Sequence, residues 1–420
     1  MPSPSRPARF VAMRSRDCSI YLVGGMLSMM ADNIEHVITY WVLWEAFHSP
    51  ALVAFEVVSH WTPFLLGSVY AGALADRYDC RRVIQGAQIM FMAVSLGWAL
   101  AFATGVLTIP LACVLLVVHG MAGALWTPAE QLMLQDFVGR GELESAVRLN
   151  ATFRSLGILF GPVVGSALLL SLGSTGGMYA NIGIYLPLTI FLLFTKYTGH
   201  TRVDLAPKTR MTMRAAGAVI RRTTSNPTLM AMIVLGGLGS FFIGAAMQSV
   251  MPIFADKLGA GSAGITYGVL LFATGAGGVV GGLLLELFRF LRPTVPSAVL
   301  ATLFFGLSTA VFALTNNYVV AVAMLFIGGV ANLAAMSISQ TVVQLLAPPE
   351  ERGQVIGVYG MSASGLRIGS GFTVGLMAGV IGASWALAAS SVALVVGTLV
   401  LVGVIWRGER GRRVAATSRR

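Results

Sequence analysis

Long apolar stretches recur along the whole chain, each ended by a short polar or basic segment. About 20 predominantly apolar residues make one helical crossing of a bilayer. On that ruler the pattern predicts about twelve spans, at 18–45, 51–75, 83–104, 107–135, 147–172, 177–197, 227–255, 264–288, 294–315, 318–346, 354–381 and 385–406. The first run is too long for a signal h-region and has no small-residue cleavage site, so it is expected to stay as the first helix. The expected fold class is therefore all-α and integral to the membrane.

Composition agrees with this picture. Of the 420 residues, 56% are hydrophobic and 11% charged, whereas a soluble domain carries about 25% charged residues. Too little polar side chain is present to cover a surface of this size in water. The 49 glycines suit close approach of membrane helices.

The formal charge of +11 changes the picture only through its placement. Arg6, Arg9, Arg14 and Arg16 precede the first span; Arg77, Arg81 and Arg82 follow the second; Arg140 and Arg148 follow the fourth. Lys196, Arg202, Lys208, Arg210, Arg214, Arg221 and Arg222 lie between the sixth and seventh, and Arg289, Arg292, Arg352, Arg407 and Arg410 continue the series. All these segments fall on one side of the membrane, with Lys257 the clear basic residue on the other. By the positive-inside rule both termini and the central segment are expected in the cytoplasm. The basicity encodes topology, and no nucleic-acid partner is expected. Cys18, Cys80 and Cys113 show no CxxC spacing, so neither a disulfide nor a thiolate metal site is expected.

A shift of 208 residues superposes much of the two halves: Gly120 meets Gly328, Glu142 meets Glu350, Gly157 meets Gly365 and Gly161 meets Gly369. The expected organisation is a six-helix bundle over 1–200, a linker over 201–226 and a second six-helix bundle over 227–420. Parallel repeats of this kind place a substrate site at their interface near the midplane.

Two motifs carry a resemblance. Gly72-Ala73-Leu74-Ala75-Asp76-Arg77, continuing to Arg81-Arg82, resembles motif A of the major facilitator superfamily, G-x-L-A-D-R-x-G-R-K, and departs from it at Asp79 and Cys80. Gly157-Ile158-Leu159-Phe160-Gly161-Pro162-Val163-Val164-Gly165 resembles motif C, G-x-x-x-G-P-x-x-G, associated with antiporters and exporters. Ser49–Val53, Trp126–Glu130 and Met251–Ala255 are similar to the branch called transmembrane secretion effectors, which includes siderophore and macrolide exporters. The resemblance implies two pseudo-symmetric bundles in a bacterial inner membrane and transport by alternating access. It also implies a gate at Gly72, Asp76, Arg77 and Arg81, with the Asp76 carboxylate at the N-terminus of the eleventh span. The second-half counterpart of motif A, Gly282-Leu283-Leu284-Leu285-Glu286, reads as degenerate. In motif C, Pro162 removes a backbone donor and Gly157, Gly161 and Gly165 open a packing face.

Ionisable groups at mid-bilayer cost about 2.5–3.5 kcal/mol each on insertion scales, so they face a cavity or a partner. The first span carries Asp32, Glu35 and His36 at i, i+3 and i+4, on one helix face. The second carries Glu56 and His60, the fourth His119 and Glu130, the fifth Arg154 and the eleventh Arg367. No acidic residue lies deep in a second-half span, so proton or cation chemistry is expected in the first half. Carboxylate–histidine pairs there suit proton coupling. Arg154 and Arg367 are expected to neutralise a carboxylate, a loop carbonyl or an anionic substrate.

These residues point to a proton-coupled exporter of a small organic molecule such as a drug or siderophore, acting as a monomer in contact with lipid. Alternatives are a divalent metal exporter, since three histidines and three carboxylates could form an N/O site, and a lysophospholipid flippase, since Ala31-Asp32-Asn33 resembles such transporters. Without a nucleotide loop, HExxH or an extramembrane nucleophile–base pair, no enzyme, cofactor or resident metal is expected.

Overall fold

The structure, a computed structural model, describes residues 10–47, 50–201, 213–258, 265–288 and 291–417. Every regular element among them is helical. The first half holds α1 (Arg16–Phe47), α2 (Pro50–Arg77), α3 (Cys80–Thr104), α4 (Ile109–Val138) and α5 (Leu143–Phe194). A linker helix α6 (Met213–Ser225) leads to α7 (Pro227–Phe242), α8 (Ala246–Lys257), α9 (Ile265–Phe288), α10 (Val295–Leu314) and α11 (Tyr318–Leu346). Last come α12 (Arg352–Gly360), α13 (Arg367–Ser370), α14 (Met377–Ile381) and α15 (Ala383–Thr417).

Several starts are set by a side-chain oxygen and a proline. Asn226 accepts from the amides of Thr228 and Leu229 with Pro227 in the first turn, and Thr294 caps α10 ahead of Pro296. α5 is long enough to cross twice, and Gly173, at φ 70°, breaks it into the predicted fifth and sixth spans. Only glycine takes that backbone without strain. Eight described helices have the length and apolarity of a crossing. α1, α2 and the broken seventh span complete the set. Leu66, Leu170, Phe194 and Val319 stand more than 70% exposed on the outside, where only lipid suits them.

Two expectations about the spans need correction. The seventh span does not run unbroken over 227–255: α7 stops at Phe242 and α8 starts at Ala246, with Gly244 between them at φ 30°. The eleventh span, expected over 354–381, contains two π-helical turns, Met361–Gly365 and Gly371–Leu376, on either side of α13. The linker is helical from Met213; its residues 202–212 lie outside the described ones.

Glycines decide how the helices meet. On α5, a Cβ at Gly157 or Gly161 would strike Met26, Met29 or Asn33 of α1, and one at Gly165 would press on Ile34. The motif C face is thus the seat of α1, while Pro162 points outward. The repeat reappears in this contact: Gly369 sits against Phe241 as Gly161 sits against Asn33, each pair 208 residues from the other. Between the halves, Gly72 meets Gly353 and Gly357 meets the Ser68 backbone, bringing α2 and α12 into direct backbone contact.

Candidate functional site

Asp32, Glu35 and His36 lie on the face of α1 turned away from the motif C glycines, which meet Met26, Met29, Asn33 and Ile34. From α4, His119 reaches between the two carboxylates: its Nε2 lies 2.8 Å from Asp32 Oδ1 and its Nδ1 2.8 Å from Glu35 Oε1. Ser95 of α3 donates to Glu35 Oε2 at 2.5 Å, and Asn181 of α5 donates to Ser95 at 3.2 Å. Asp32, Glu35 and His119 are all buried. His36 Nδ1 stands 3.9 Å from Asp32, and the His36 ring is 4.9 Å from the rings of both His60 and His119. Phe91 closes the triad from one side, edge-on to His119 at 4.9 Å.

The two short contacts fix the proton count. An imidazole has two nitrogens, and bonding both to carboxylates takes two protons among the three groups. An imidazolium between two carboxylates satisfies this, as does a neutral imidazole beside one carboxylic acid; each has net charge −1. One more proton, on a carboxylate oxygen turned away from the imidazole, makes the triad neutral while the imidazolium still donates to both carboxyl groups. A buried group whose net charge changes with one proton can serve as a coupling element.

Of the predicted residues, then, Asp32, Glu35, His36, His60 and His119 are brought together. Glu56 is buried one turn from His60, and neither of its oxygens has a hydrogen-bond partner. Arg154 is held apart from the cluster, bonded to Glu130 at 2.8 Å and stacked over Trp126 at 5.1 Å. Arg367, across the interface, lies 4.5 Å over the Trp61 ring. Ser95 and Asn181 did not stand out in the sequence; a serine and an asparagine inside apolar runs were the available signal.

At the basic end of the bundle, Asp76 accepts from the Gly353 amide at 2.6 Å and the Gln354 amide at 2.9 Å, across the interface at the start of α12. Arg77 and Arg81 do not join this contact. Arg77 lies over Tyr78, and Arg81 binds Asp79 and the Thr195 carbonyl within its own half. The Asp79 departure from motif A has a use, since its carboxylate caps α3 at the Arg81 amide. Cys80 is fully buried against Gly199, where a basic side chain has no room.

The reading of Glu286 as degenerate is corrected here. This fully buried carboxylate accepts from Ser145 at 2.5 Å, Arg148 Nε at 2.9 Å and the Phe10 amide at 3.0 Å, all from the first half. Arg148 also pairs with Glu144. Ser145 is 208 residues before Gly353, so Glu286 is the second latch of a pseudo-symmetric pair. Gln344 to Gln131 at 2.8 Å and Arg140 to the Leu345 carbonyl at 2.6 Å add further ties at this end.

Two helical repeats, a glycine-lined interface and latches exchanged between the halves define a major facilitator transporter. The sequence matches the family described as "Transmembrane secretion effector" over residues 10–411. The chain belongs to that family: it is a secondary transporter of the membrane and not an enzyme. It is 25% identical over 366 residues to the enterobactin exporter EntS of Shigella boydii, covering 85% of this chain and 84% of that one. Its fold is similar to the human organic anion transporter MFSD10, with a TM-score of 0.74 at 12% identity over 95% of this chain and 100% of the other. It is similar also to a bacterial homologue of ferroportin in an outward-facing state, with a TM-score of 0.71 at 13% identity over 92% of this chain and 98% of the other.

Proposed function

We propose that the chain is a proton-coupled exporter of a small organic molecule, working as a monomer in the bacterial inner membrane. His119 bridging Asp32 and Glu35 is the observation that carries this reading. The halves, 1–200 and 227–420, rock about the 201–226 linker. Protonation from outside neutralises the triad and lets the latches open toward the cytoplasm; loss of the proton inside resets it. Export is supported by the seat that motif C gives α1 and by the relatives at 25% identity, which are named as exporters. Because the basic end is the closed one, the described conformation faces outward.

The test uses proteoliposomes and a compound picked by thermal-shift screening, since a ligand of the folded state raises the apparent melting temperature. Asp32→Asn and Glu35→Gln should each abolish transport driven by a pH gradient and leave counterflow of the compound intact. PH-driven transport at the wild-type rate in both variants would refute the reading. The orientation has its own check: cysteine labels at Thr201 and Ala415 should react only from the cytoplasmic side.

A second reading rests on one further observation. Asp32, His36, His60 and His119 each offer a ligand atom, all within 4.8 Å of one another. Three imidazoles and a carboxylate suit a late first-row divalent cation, which would then be the cargo.

A further inference from the structure

Arg154 and Arg367 both lie within spans where the halves meet, and their surroundings differ. Arg154 is neutralised by Glu130. Arg367 forms no hydrogen bond or ion pair through its guanidinium with any described residue, and its Nε is sealed from solvent. Among the described residues the Trp61 ring covers a face of the guanidinium and leaves the rim of N–H donors free. The charged or titratable groups close enough to act on it are Arg154, His60 and Tyr359. None of these is an acid that could balance it. The second half offers no replacement: 208 residues on from Asp32, Glu35 and His119 stand Ser240, Ile243 and Ile327.

Arg367 lines a cavity of about 60 Å³ together with Ser240, Asn332, Ser339, Tyr359 and Phe305. That is room for about two water-sized groups, the bulk of one carboxylate. The walls include hydroxyl and amide groups and two aromatic rings. The two π-helical turns bracket Arg367. Such turns widen a helix locally, often at functional sites, and here Arg367 between them shares its cavity with residues of α7, α10 and α11.

We propose that Arg367 is the anchor for an anionic headgroup of the exported molecule, and that the substrate is an amphipathic organic acid with a carboxylate or similar paired-oxygen group. The guanidinium fork matches such a group bidentately. The headgroup supplies the countercharge that the protein withholds, and the adjoining apolar body lies outside this small cavity. The inference deepens the exporter reading and rests on it for the direction of transport only. The proton cluster then occupies the first half and the anion site the second, whose residues alone line this cavity.

The probe pair is 2-naphthoate and its neutral isostere 2-naphthamide, titrated calorimetrically against full-length protein in phosphatidylcholine nanodiscs. Wild type should bind the acid roughly tenfold or more tighter than the amide, the scale of a charged hydrogen-bonded contact. Arg367→Gln should erase the preference and Arg367→Lys keep part of it. Equal affinities for acid and amide in wild type overturn the proposal without any variant, so a misfolded Arg367→Gln cannot shelter it. Acid binding unchanged in a folded Arg367→Gln overturns it equally. If lysophosphatidylglycerol binds through Arg367 and naphthoate does not, the soluble-acid assignment falls and the site belongs to a lipid headgroup. Proton coupling is scored separately by the pH-gradient assay, so its failure leaves the anion result standing.

Discussion

Asp76→Asn combined with Glu286→Gln is expected to open the basic end of the transporter in most molecules at rest. Each carboxylate takes donors from the opposite half: the Gly353 and Gln354 amides for Asp76, and Ser145, Arg148 and the Phe10 amide for Glu286. A hydrogen bond to a charged group is worth about 1.5–3 kcal/mol. The amide variants keep shape and volume and lose the charge, so each should weaken its latch by an amount of that order. The latches share no partner, so their effects should add. Together they come to about 3–6 kcal/mol, or roughly 10²- to 10⁴-fold in the ratio of closed to open molecules. Spin labels at Glu142 and Glu350, exposed at this end and equivalent under the repeat, report the change in a background free of native cysteines. The double variant should shift the distance distribution to longer values, with each single variant intermediate. An unchanged distribution would mean that the glycine contact of α2 with α12 closes this end by itself.

Glu286 also marks what was legible in the sequence and what was not. Spans are legible because a bilayer imposes a one-dimensional rule, a minimum apolar length, and hydropathy reads it directly. Backbone breaks are not. Nothing in the apolar run 227–255 signals that the chain stops and restarts around Gly244, since a glycine there could equally serve close packing. Residues sharing a helix face are legible from spacing, which is how Asp32, Glu35 and His36 came to be grouped. Partners on other helices are not, because which helices touch depends on three-dimensional packing. His119 was visible only as a lone polar group, and Ser95 and Asn181 hardly at all. Glu286 looked degenerate because it sits two positions beyond the strict 208-residue register of Asp76. The position differs, yet the interface contact is conserved in kind between the halves of this chain.

Replacing His119 by Leu should be the most damaging single change in the first half, and the way it is repaired identifies the chemistry. The substitution removes the partner of both carboxylates at once, 2.8 Å from each. Breaking a buried pair by deleting one member costs about 3–5 kcal/mol, because the remaining charge is left without compensation. The apparent melting temperature should fall sharply, and pH-driven transport should vanish. The triple variant His119→Leu, Asp32→Asn, Glu35→Gln removes the stranded charges and should recover most of the lost stability while transport stays uncoupled. His36→Ala separates protons from metal. His36 contacts Asp32 only at 3.9 Å, so its loss leaves both triad bonds in place, and coupling should survive. As one of four ligands it would matter far more to a cation, and a lost imidazole ligand weakens a late transition-metal site severely. Calorimetry with nickel or cobalt on wild type and His36→Ala therefore decides. Micromolar binding by wild type that disappears in His36→Ala, together with loss of transport in that variant, would move the cluster from proton carrier to cargo site. Survival of pH-driven transport in His36→Ala, with no metal bound by either protein, is the expected result.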